Sequence, residues 1–323
     1  MINFLRQVRP PPPTFTEKDI PDLTGRVIVV TGGNSGIGKE VCGLLYSKNA
    51  TVYMAARTAE KAEAAITALR KAHPTSTGSL GYVTLDFDDL TSIQASANAL
   101  KSKTLSIDVL INNAGIMVPP AGSVSTQGYE LQLSTNCLGP FLFTKLLTPV
   151  LAQTAKSAPP GRTRVVWVSS SAAELLSPTG GIEMDNLDYK KDRSQALKYG
   201  TSKAGSYFQS TEFARRYRGA GIVSVALNPG NLESDLDRNT TGMQLLLRKA
   251  LAHPTIFGAY TELFAALSPE VTLEKSGWWI IPWGRFGSIR KDLEKAAKSH
   301  EEGSTGIAEQ FWNWCEEQVK PYC

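Results

Sequence analysis

Seven short apolar runs, at residues 27–30, 51–55, 82–85, 108–111, 165–168, 222–227 and 277–281, take turns with segments of helical periodicity. The helical segments fall at 39–48, 59–72, 91–101, 127–147, 198–217 and 306–319. Runs of four to six apolar residues are too uniformly hydrophobic for a sheet with one wet face, so they belong in a sheet buried on both faces. Helical crossovers between such strands are right-handed and make neighbouring strands parallel. The pattern therefore predicts an α/β fold: a Rossmann-like, doubly wound parallel sheet of about seven strands with helices on both faces.

The chain has 323 residues, 42% of them apolar and 20% charged, which is ample for one large core. One domain is expected over residues 23–323, after an arm at 1–22 in which Pro10 to Pro13 form an extended spacer. A substrate lobe is expected around 231–260 and a C-terminal helix at 305–319. The net charge is +4 with no long basic run, so no nucleic-acid partner is expected. No stretch approaches the roughly 20 apolar residues of an integral membrane segment, and the start lacks the features of a signal peptide. The four cysteines are far apart and form no metal-ligand spacing, which suits small buried thiols in a reducing, cytoplasmic setting. Two segments interrupt the rhythm: 172–196, rich in Ser, Gly, Pro and Asp, and 232–257, which is mostly apolar.

The first apolar run is followed by Gly32, Asn34, Ser35, Gly36, Ile37 and Gly38, and then by a helix. Glycines at 32, 36 and 38 permit a tight turn and let the backbone approach a pyrophosphate, with the helix N–H groups facing it. A glycine-rich turn without a ligand is the alternative. Farther along, Tyr199 and Lys203 stand four residues apart, which puts both on one helix face. Of the ten tyrosines only Tyr199 has a lysine at that spacing. A phenol with a pKa near 10 needs a neighbouring cation to serve as an acid or base at neutral pH.

In this order and spacing the motifs resemble the short-chain dehydrogenase/reductase family over roughly residues 23–281, most closely the branch of retinol dehydrogenases, WW-domain oxidoreductases and protochlorophyllide reductases, together with fungal secondary-metabolism reductases. The resemblance implies that Asp86 lies beside an adenine ring. It places Asn113, Ala114 and Gly115 next to the adenine ribose, and Pro229, Gly230 and Leu232 near a nicotinamide. It implies a catalytic set of Asn136, Ser170, Tyr199 and Lys203, with Ser169 and Ser171 as alternatives to Ser170; Tyr199 and Lys203 also touch the cofactor. An NAD enzyme carries an acid at the end of the second strand. This chain has Arg57 there instead, with Lys61 one turn on, so NADP(H) is the expected cofactor.

Met243, Leu245, Leu246, Leu247, Leu251, Ile256 and Phe257, with Trp278, Trp279 and Trp283 at the last strand, suggest an apolar lid over a lipophilic or aromatic small-molecule substrate. A helix packing on the sheet, or a membrane contact, are the alternatives for that stretch. Three activities fit: interconversion of a carbonyl and an alcohol, reduction of C=C or C=N bonds, or non-catalytic sensing of NADP(H). Related enzymes pair through the helices that hold Asn136 and Tyr199, and the insert at 172–196 is placed to obstruct this, so homodimer and monomer both stand.

Overall fold

The computed structural model describes Gln7, residues 9–233 and residues 252–323. In chain order these form β1 (Val27–Thr31), α1 (Gly36–Ser47), β2 (Thr51–Ala56), α2 (Ala59–Ala72), β3 (Ser79–Thr84), α3 (Leu90–Lys101), β4 (Val109–Asn112), α4 (Gly139–Ser157), β5 (Arg164–Val168), α5 (Gln195–Tyr217), β6 (Val223–Leu227), α6 (Thr255–Leu267), β7 (Trp279–Ile281), β8 (Arg285–Gly287) and α7 (Ile307–Val319), with shorter turns between. The strands make one sheet in the order β3-β2-β1-β4-β5-β6-β7-β8. The first seven are parallel, as the alternating pattern requires, and β8 adds an antiparallel edge that the sequence reading did not foresee.

Alternate strand residues feed two cores. Val29, Leu110, Val165 and Trp167 pack under α3, α4, α5 and α7. Ile28, Val30, Val109, Ile111 and Val166 pack under α1, α2 and α6. Every residue of β1, β4, β5 and β6 is buried, as expected of central strands covered twice.

The longest helical signal differs most from expectation. The sequence pattern places a long helix at 127–147. In the structure Glu130 caps the start by accepting from the Leu133 N–H at 2.8 Å. A π-helical turn, Ser134–Leu138, then runs into α4. The helix passes Pro149, whose ring lies on the exposed side while Leu147 and Leu151 keep the buried face continuous.

The insert is ordered. It holds a helical turn at Ala172–Leu175, and the Arg290 guanidinium donates to the carbonyls of Glu174, Ser177 and Pro178 at 2.6, 3.2 and 2.6 Å. At the other end of the chain α7 lies along α4 and α5. Trp312 meets Phe141 edge-on at 4.7 Å and Phe213 at 6.3 Å, and Lys145 pairs with Glu316. Of the lid residues, Met243, Leu245, Leu246, Leu247 and Leu251 lie outside the described residues. Among the described residues no helix is long and apolar enough to cross a membrane. Cys42, Cys137 and Cys315 are buried thiols, and Cys323 is exposed.

Candidate active site

Strand order reverses between β1 and β4, and in such sheets the crevice at the carboxyl ends beside the reversal is where ligands sit. The glycine-rich turn runs from Thr31 to the first turn of α1. Gly36 adopts φ +51°, and a side chain built there would meet nothing within 4 Å, so the turn faces open space. At Gly38 a Cβ would fall 2.5 Å from the Gly32 carbonyl oxygen and 2.6 Å from Asn113 Nδ2, so only glycine allows the helix to start this close to β4. Ser35 is the N-cap and its side chain caps no helix N–H. Asn34 and Ile37 are half-buried beside it. This is a shaped cradle ending in free helix N–H groups, and it fits a dinucleotide pyrophosphate.

The far wall is tied down by side chains. Asn113 Nδ2 donates to the Thr31 carbonyl at 2.7 Å, and the Ala114 N–H donates to Thr31 Oγ1 at 2.9 Å. Asp86, half-buried just past β3, accepts from the Asp88 N–H at 3.0 Å. Arg57 and Lys61 are exposed at the start of α2, at the mouth of the crevice. Burial, reinforced by Asp86, pushes the Asp88 carboxyl above the usual range, and the Arg57 guanidinium opposes this. Arg57 thus brings positive charge to the end of β2, where the chain itself carries no acid, and that charge acts on Asp88 past β3.

Tyr199 and Lys203 lie one turn apart on α5, both buried. The Lys203 ammonium is 5.8 Å from the centre of the Tyr199 ring and donates to the Val168 carbonyl at 3.0 Å. Burial pushes its pKa down to about 8, with Cys137 and Glu262 opposing. Asn136 sits in the π-helical turn. Its Oδ1 accepts from the Ile116 N–H at 2.9 Å, and its Nδ2 donates to the Ile116 carbonyl at 3.0 Å and to Ser202 Oγ at 2.9 Å. A Cβ at Gly115 would lie 3.0 Å from Asn136 Oδ1 and 3.3 Å from Lys203 Nζ. Asn136 and Lys203 therefore converge beside Gly115, which makes room for both, with the Tyr199 ring one helical turn from the ammonium. Tyr199 packs with Met117, Ala172 and Val118, so its surroundings are apolar.

The three serines after β5 separate. Ser169 is buried and donates to the Lys203 carbonyl at 2.6 Å, which turns it into the helix contact. Ser170 is half-buried, and its Oγ accepts from the Ala172 N–H at 3.1 Å. Ser171 precedes the short turn that follows, and its side chain caps no N–H there.

On the other side Pro229 is buried and Gly230 lies against Trp283, whose ring would be 2.4 Å from a Cβ there. Leu232 is buried over Gly258 and pairs as a short bridge with His253. Trp283 also meets His253 at 4.9 Å and Phe257 at 5.1 Å. Of the three tryptophans expected at this rim, only Trp283 reaches it. Trp279 points to the opposite face against Tyr207, and Trp278 sits before the start of β7 against Phe286, because strand residues alternate and the crevice is at the carboxyl ends.

Sequence reasoning missed Thr31 and Ser202, which hold Ala114 and Asn136, because a hydroxyl at a strand end or inside a helix carries no pattern of its own. It also missed Glu262 on α6, which is fully buried with both carboxyl oxygens lacking a hydrogen-bond partner; burial pushes its pKa up to about 8, opposed by Lys203. A charged residue on the apolar face of α6 was the available signal. Among the described residues no cluster of His, Cys, Asp and Glu is arranged to hold a metal.

The model of the short chain dehydrogenase family matches residues 26–182. A short-chain dehydrogenase/reductase of Phomopsis amygdali is 52% identical over 99% of this chain and 97% of its own length. One from Neocamarosporium betae is 47% identical over 98% of this chain and 92% of its own. The solved structure of an uncharacterized protein from Mycobacterium Paratuberculosis superposes with a TM-score of 0.69 at 29% identity, covering 95% of this chain and 97% of that one. NADPH-bound carbonyl reductase from chicken fatty liver, 24% identical with a TM-score of 0.61 over 82% of this chain and 100% of that one, shares the fold. With relatives this similar along nearly its whole length, the chain belongs to the short-chain dehydrogenase/reductase family.

Proposed function

We propose that this protein is an NADP(H)-dependent oxidoreductase that interconverts a carbonyl and an alcohol on a lipophilic or aromatic small molecule. The observation that carries the reading is the meeting of Lys203 and Asn136 beside Gly115, just past β4, with Lys203 bonded to the end of β5 and the Tyr199 ring 5.8 Å from its ammonium. NADP(H) is favoured over NAD(H) because Arg57, and not an acid, follows β2, with Lys61 beside it. The bound cofactor would lie along Gly32, Asn34, Ser35, Gly36, Ile37 and Gly38, past Asp86, Asn113, Ala114 and Gly115, to Pro229, Gly230 and Leu232.

Reduced nicotinamide supplies the hydride. The chain's own residues manage the oxygen. Ser170 hydrogen-bonds the substrate carbonyl oxygen, while Ser169 is committed to α5. Tyr199 gives its phenolic proton to that oxygen, and the alcohol leaves. Lys203, with a pKa of about 8, is mainly cationic at neutral pH, so it favours the phenolate that remains. Asn136 positions the Ile116 backbone and Ser202, and thereby the turn of α5 between Tyr199 and Lys203. The apolar neighbours of Tyr199, together with Leu232, Phe257 and Trp283, support a lipophilic substrate. Because α7 covers α4 and α5, we read the protein as a monomer.

Calorimetric titration tests the assignment. The wild type should bind NADPH tightly and NADH weakly, and Arg57→Asp should lose NADPH affinity about tenfold or more while leaving NADH nearly unchanged. Tyr199→Phe should keep NADPH binding and lose turnover of aromatic ketones. Equal loss of both cofactors in Arg57→Asp, or full activity in Tyr199→Phe, contradicts the respective role.

A further inference from the structure

The N-terminal arm reaches the crevice. Gln7 is buried, although Pro11 and Pro12 in the run that follows it are exposed. Its Oε1 accepts from Asn228 Nδ2 at 2.8 Å, and its Nε2 donates to Glu174 Oε2 at 2.8 Å. Each of these partners touches a loop of the proposed site. Asn228 Oδ1 accepts from the Gly230 N–H at 3.1 Å. Glu174 lies in the Ala172–Leu175 turn, whose first N–H is held by Ser170 Oγ. One primary amide therefore bridges the loop after β6 and the turn after β5. The arm is anchored behind it: Arg285 donates to the carbonyls of Pro11 and Pro12 at 3.2 and 2.8 Å, Phe15 meets Phe264 edge-on at 6.1 Å, and the Tyr260 hydroxyl donates to Glu17.

We propose that Gln7 is a positioning residue of the active site, fixing the nicotinamide-side loop at Asn228–Gly230 relative to the substrate-side turn at Ser170–Glu174. This rests on the proposed function, because it uses the roles given there to Gly230 and Ser170. An amide is the side chain the bridge needs. It accepts from Asn228 and donates to a carboxylate, whereas a glutamate would face Glu174 with like charge and a lysine would offer Asn228 no acceptor. Misplacement of a reacting group by about 1 Å costs up to about a hundredfold in rate, so a tie between the two loops matters to turnover more than to affinity.

The test compares wild type with Gln7→Leu, Gln7→Glu, and Gln7→Glu combined with Glu174→Gln. NADPH affinity is read by calorimetry, the fluorescence gain of reduced nicotinamide on binding is read directly, and turnover is read with phenanthrenequinone as the carbonyl probe. Gln7→Leu and Gln7→Glu should keep NADPH affinity within about threefold, since the adenine half is held elsewhere. Both should lose much of the fluorescence gain, and kcat should fall roughly tenfold. The double change should restore both readouts, because the carboxylate at position 7 then accepts from Asn228 and from the new amide at position 174. Rescue of this kind separates positioning from a general loss of fold. Wild-type behaviour in Gln7→Leu, or no rescue by Glu174→Gln, overturns the role of Gln7 alone. No NADPH binding by the wild type overturns the functional reading, and this proposal with it.

Discussion

Lys203 and Glu262 share a dry interior that disfavours both of their charges, and each is drawn toward ionisation by the other. Glu262 is raised to about 8 from 4.5, so between those values the folded chain keeps a proton that the unfolded chain gives up; stability falls as pH rises through that window. Lys203 is lowered to about 8 from 10.5, so between pH 8 and 10.5 the unfolded chain holds the extra proton and stability rises. The two effects meet near pH 8. Denaturant melts should therefore show stability dropping by on the order of a few kcal/mol between pH 5 and pH 8. Glu262→Leu should flatten that slope and raise the midpoint at pH 8. An unchanged slope in Glu262→Leu would mean that another group sets it.

Among the elements, α7 contributes most that the strand-and-helix rhythm does not demand. Phe311, Trp312, Cys315 and Val319 are buried from one face of it, and Arg216 sits over the Trp312 ring at 5.1 Å. Trp312→Ala should cost about 3–5 kcal/mol in chemical denaturation, the usual penalty for emptying a large aromatic site. A loss below 1 kcal/mol would mean that α7 is only loosely attached. Such elements also mark how far the sequence could be read. Helix α2 falls at 59–72, where its Ala, Glu and Lys periodicity put it, because periodicity alone decides a surface helix. The length of α4 was not legible, since a proline is a stop signal unless one knows that its ring faces solvent. The spacing of Tyr199 and Lys203 was legible because both lie on one helix. The split between Ser169 and Ser170 was not, because it depends on which hydroxyl meets the α5 backbone. Gln7 lies 221 positions from Asn228, and no local pattern announces a contact across that separation.

At the scale of the molecule, α7 covers the faces of α4 and α5, and the proposed monomer rests on that. Light scattering on the purified protein should give the mass of one chain at micromolar concentration; a dimer mass would show that pairing uses some other surface. The sheet has two ends, and they are finished differently. At one, β3 buries Leu80 and Val83 and exposes Ser79 and Thr84. At the other, β8 is only three residues long, and its Arg285 is bonded to carbonyls of the proline run. Prolines have no N–H to offer a further strand, and charge on a short edge discourages one from adding. With the proline run held beside this short edge by Arg285, trimming the arm is expected to leave the edge more open to pairing with another chain, and so to lower solubility.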